Sequence, residues 1–109
     1  MDQRDESIVS ELKRRIPNDI LTHLKKIIVF GSRIKGQQSE DSDLDIVALV
    51  DHKNSALEKR MEDIAYQVMW DYDFKPIISM KIFVEQQFQE RLKRGFSFYK
   101  HVVNEGLAI

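Results

Sequence analysis

A chain of 109 residues suits one compact domain, and 42% apolar with 32% charged residues is the composition of a folded globule. The formal net charge of -1 gives no bulk basic field for a nucleic-acid backbone, so nucleic acid is not the expected ligand, and the lack of cysteine excludes disulfides, thiolate metal sites and thiol nucleophiles. No leader-like stretch opens the chain and no run approaches the roughly 20 apolar residues of a membrane span; a single domain over residues 1–109, cytoplasmic and without a membrane partner, is the expectation.

In chain order, Ile8, Leu12, Ile16, Ile20 and Leu24 recur at helical spacing between Glu6 and Leu24. Pro17 interrupts this stripe, which predicts a break near Ile16 and a second short helix opened by the proline. Lys26–Phe30 and Leu44–Val50 are β-branched, apolar runs that predict buried strands. The polar segment between them, SRIKGQQSEDSD, predicts a short helical turn after Ser32 and a loop around Gly36. Ser55 is placed to cap a helix whose face carries Leu57, Met61, Ile64, Ala65, Val68 and Met69 and which ends near Trp70. A third strand is predicted over Pro76–Val84, then two helices over Gln86–Arg94 and Phe98–Asn104 with Gly95 between them. This order gives an α/β or α+β domain: a small mixed sheet of three to four strands flanked by helices.

The chemistry concentrates in VFGSRIKGQQSEDSDLDIVALV, residues 29–50. Gly31 follows a strand and has no Cβ, so the chain can turn sharply and a phosphate can approach its backbone N–H groups closely. Ser32 adds a hydroxyl donor. Asp43 and Asp45 are one residue apart at a predicted strand, so both carboxylates project from one face while Leu44 and Ile46 point to the core. Two neighbouring carboxylates repel each other unless a cation compensates, and hard oxygen ligands of this kind favour Mg²⁺, whose remaining ligands are waters and phosphate oxygens.

Gly31-Ser32, a ten-residue spacer, then Asp43-Leu44-Asp45 entering an apolar strand resembles the signature of the DNA-polymerase-β-like nucleotidyltransferases. More narrowly, FGSRIKG followed by SDLDIVALV resembles the small stand-alone members called minimal nucleotidyltransferases. The resemblance implies a nucleotidyltransferase-like fold that moves a nucleoside monophosphate, AMP from ATP or the equivalent from another NTP, to a hydroxyl with Mg²⁺. It implies Asp43 and Asp45 as metal-holding catalytic residues and Gly31 and Ser32 as nucleotide-binding residues. Arg33 either steadies the triphosphate or sits at the loop surface.

One part of the pattern departs. Active members of the family usually bring a third carboxylate from a neighbouring strand, but KPIISMKIFV has no acid between Lys75 and Val84. Asp73 is the tentative third metal ligand, with Ser79 as a possible holder of a metal-bound water. The tail KRGFSFYKHVVNEGLAI resembles the end of minimal nucleotidyltransferases that partner HEPN proteins in toxin-antitoxin pairs, which implies a HEPN-type protein partner and a homo- or hetero-oligomer. Phe96, Phe98, Tyr99 and Val102 there are either a partner surface or core. The alternative to an enzyme is an antitoxin or adaptor, weak or inactive in catalysis, that neutralises such a partner by binding.

Overall fold

A computed structural model describes all of residues 1–109. Helices α1 (Gln3–Arg15) and α2 (Asn18–Leu21) precede strand β1 (Leu24–Phe30), and the short helix α3 (Ser32–Lys35) leads into β2 (Leu44–Val50). The long helix α4 (Ser55–Asp71) crosses to β3 (Ile78–Val84); α5 (Glu85–Lys93), α6 (Ser97–Glu105) and the two-residue strand β4 (Leu107–Ala108) complete the chain. The strands form one mixed sheet in the order β3-β2-β1-β4, with β2 parallel to β3 and the other pairs antiparallel.

Side-chain alternation divides the sheet into two faces. Ile27 and Val29 of β1, Leu44, Ile46, Ala48 and Val50 of β2, and Ile78 and Ile82 of β3 pack against the apolar stripes of α1, α2 and α4. Ile28, Val47 and Leu49 lie on the other face, with Phe88 of α5, Val102 of α6 and the partly buried Phe30, Phe83, Phe98 and Tyr99. Both faces of β2 are therefore covered from Ile46 onward, which is why that strand reads as a continuous apolar run. Phe98, Tyr99 and Val102 are thus core residues, while Phe96 stays half exposed.

The break at Pro17 is present, with the proline as the N-cap of α2. Three details differ from expectation. Ser55 is the first helical residue of α4 and Asn54 is its cap, accepting from the Leu57 N–H at 2.8 Å. Pro76 lies outside β3, after a cis peptide bond in the turn that brings the Ile77 carbonyl to the Leu44 N–H at 2.8 Å. The edge strand β4, too short to show any alternation, was not foreseen; it pairs with Ile28 and Val29.

Candidate active site

The antiparallel register of β1 and β2 places Phe30 opposite Asp45, so the residue after β1, Gly31, comes directly against that carboxylate. Gly31 has φ +87° and ψ −161°, a conformation confined in practice to glycine, and a Cβ built there would lie 2.6 Å from Asp45 Oδ2. The same bare Cα allows the chain to turn and the acid to sit beside it. Ser32 then begins α3, half buried, and Gly36 ends it in the left-handed region at φ +71°.

Asp43 is exposed just ahead of β2, and Asp45 is half buried within it. By alternation both lie on the face of Val47 and Leu49, as the sequence pattern predicts. Burial raises the Asp45 pKa above the ordinary carboxylate value, the nearby charge of Asp43 raises it further, and the Lys81 ammonium opposes both. A half-desolvated carboxylate next to a second one is a donor set suited to a hard divalent cation.

Arg33 overturns the expectation of a free or surface side chain. It is buried: its Nη1 donates to both carboxylate oxygens of Asp5 at 3.1 and 3.0 Å, and its Nε donates to the Ser42 carbonyl at 2.9 Å. Asp5 itself, in the first turn of α1, is completely buried. One guanidinium thus ties α1, the residue after Ser32 and the residue before Asp43 together, which removes Arg33 from the groups free to meet a phosphate. Lys35, exposed at the end of α3, pairs with Glu105 at the end of α6 at 2.8 Å.

Asp73 does not join the site. It sits in the turn after α4 at φ +58°, five residues before β3 begins, and lines a shallow cleft with Asp41, Ser42 and Ile77. No group of three or more acids and histidines is close enough to share a metal ion. The residue that β3 does bring beside Asp45 is Ser79, its register partner in the parallel pair, followed on the same face by Lys81 opposite Val47.

The family model described as a nucleotidyltransferase domain matches residues 6–103. The chain belongs to this nucleotidyltransferase family. It is also 34% identical over 77 residues to a protein of Methanocaldococcus jannaschii, "Putative protein adenylyltransferase MJ0141", an alignment that covers 68% of this chain and 78% of that protein. Two solved structures have the same fold. A toxin-antitoxin crystal structure with AMP-PNP superposes with a TM-score of 0.56 at 22% identity, over 95% of this chain and 70% of that one. A mutant MntA-HpeT toxin-antitoxin gives a TM-score of 0.52 at 20% identity, over the same shares. The nucleotidyltransferase domain thus has its expected mixed α+β architecture, and none of its helices is long and apolar enough to cross a membrane.

Proposed function

We propose that this nucleotidyltransferase transfers AMP from ATP, with Mg²⁺, to a hydroxyl on a partner protein of the HEPN type. The observation that carries the reading is the close approach of Gly31 to Asp45, which sets a glycine turn beside a pair of acids, Asp45 half buried and Asp43 exposed. The M. jannaschii relative, by its name, supports adenylyl transfer to protein, and the nucleotide-bearing toxin-antitoxin fold relative supports an NTP and a protein partner.

In this scheme the Gly31 turn lets phosphate oxygens approach backbone N–H groups without steric conflict, and the Ser32 hydroxyl donates to them. Asp43 and Asp45 would hold Mg²⁺, which when bound neutralises the charge on the transferring phosphate. The acceptor oxygen bonds to the α-phosphorus as the bond to the bridging β-phosphate oxygen breaks; pyrophosphate leaves and the hydroxyl proton passes to solvent. Arg33 and Asp5 keep the two halves of the site in register from below.

The absence of a third acid beside Asp45 supports the second reading, an antitoxin that neutralises its partner by contact alone. Incubation with α-labelled ATP, Mg²⁺ and the product of the adjacent gene separates the two. Label on the partner that disappears with Asp45→Asn supports the enzyme. A stable complex that never acquires label overturns transfer and leaves the binding antitoxin.

A further inference from the structure

The sheet face that carries Asp45 has two more polar occupants to which the transfer scheme gives no role. Asp45 is flanked on β1 by Phe30 and on β3 by Ser79, and Lys81 follows two residues along β3 on the same face. With about 6.6 Å per two residues and about 4.8 Å between strands, the Lys81 backbone stands roughly 8 Å diagonally from that of Asp45, within reach of a lysine side chain. Lys81 is exposed, with its Nζ 6.0 Å from the centre of the Phe98 ring. The surroundings of Asp45 within the sheet are therefore an aromatic ring, a short hydroxyl and a cation. A third acid is missing from them, and the exposed ammonium of Lys81 stands nearby instead.

We propose that this site binds one divalent cation with its nucleotide, and that the Lys81 ammonium supplies, against the triphosphate, the second positive charge that a second metal ion provides in a two-metal site. The proposal rests on the assignment of Asp43 and Asp45 to the metal-nucleotide site. A hard cation needs oxygen ligands, and a second one here would have two carboxylates already shared with the first and an ammonium of like charge beside it. Lysine suits the substitute role: it is a point charge on a flexible stem whose three N–H donors can reach phosphate oxygens without fixed geometry.

The test uses the full chain with Mn²⁺ and AMP-PNP, following free Mn²⁺ by electron paramagnetic resonance and nucleotide affinity by calorimetry. The expected result is one Mn²⁺ per chain. Lys81→Met should weaken AMP-PNP binding at least tenfold while the count stays at one, and Lys81→Arg should restore most of the affinity. Because Lys81 is exposed, the thermal midpoints of both variants should match the natural chain, which separates loss of binding from loss of fold. A count of two in the natural chain, or unchanged affinity in Lys81→Met, overturns the proposal while leaving the acid pair as the site. Failure of the natural chain to bind Mn²⁺ with AMP-PNP, or wild-type binding by Asp45→Asn, overturns the site assignment itself and the proposal with it.

Discussion

Replacing Arg33 by methionine isolates the role of the buried ion pair. The substitution keeps most of the side-chain volume but leaves the Asp5 carboxylate, which is fully buried, without its partner. Removing one member of a buried pair destabilises by about 3–5 kcal/mol, because the remaining charge is neither solvated nor neutralised. The Ser42 carbonyl also loses its donor, for about another 1 kcal/mol. For a domain of about 100 residues, each kcal/mol lowers the thermal midpoint by about 4–8 °C, so Arg33→Met should lower it by more than about 12 °C. The double variant Asp5→Leu with Arg33→Met removes both charges and should recover at least half of the lost stability. It should not recover Mg-ATP binding, because the tether from α3 to Ser42 is still missing and the segment before Asp43 is no longer held against Gly31-Ser32. Urea denaturation and calorimetry measure the two quantities separately. Arg33→Met within about 1 kcal/mol of the natural chain would refute the burial argument, and wild-type nucleotide affinity in the double variant would refute the positioning role.

Gly31→Ala should reduce Mg-ATP affinity at least tenfold by calorimetry, since its Cβ collides with Asp45 and the backbone is strained by about 1–3 kcal/mol; normal binding would move the phosphate elsewhere. Asp45 has a raised pKa, so without metal its stability contribution falls as pH rises from the unfolded carboxylate value through the folded one. Asp45→Asn should therefore raise the thermal midpoint in EDTA at pH 7, with the gain vanishing toward pH 3, and a gain independent of pH would contradict this origin. Asn54→Ala should destabilise by about 1 kcal/mol in chemical denaturation while Ser55→Ala does almost nothing, and the reverse order would return the cap to Ser55.

The two apolar strands, the helical stripes and the Gly31/Asp45 neighbourhood were legible because each follows from a local period or from a residue type with one strong conformational property. Asp5 was not, since a carboxylate in the first turn of a helix reads as a favourable partner of the helix dipole and nothing nearby in sequence announces a buried arginine. Arg33 was misread for the same reason: the motif gives its place after Ser32, while the direction of its side chain depends on α1, which arrives from 28 residues away. Lys81 had a faint signal, a charge inside KPIISMKIFV on the alternation of Ser79, but its meaning required the parallel register of β2 and β3. Asp73 is not gathered with Asp43 and Asp45 into a three-acid group, because the turn at Pro76 delays β3 to Ile78.

The mixed pairing of the sheet also separates its contacts by the length of chain each must close. Gly31 and Asp45 belong to an antiparallel pair joined by a short connection, so their meeting needs little chain to be closed. Ser79 and Lys81 reach the same face only after α4 has carried the chain across to a parallel partner, a contact of higher sequence separation and slower formation. The acid pair and its turn thus depend on closing a shorter length of chain than the strand that carries Lys81 does.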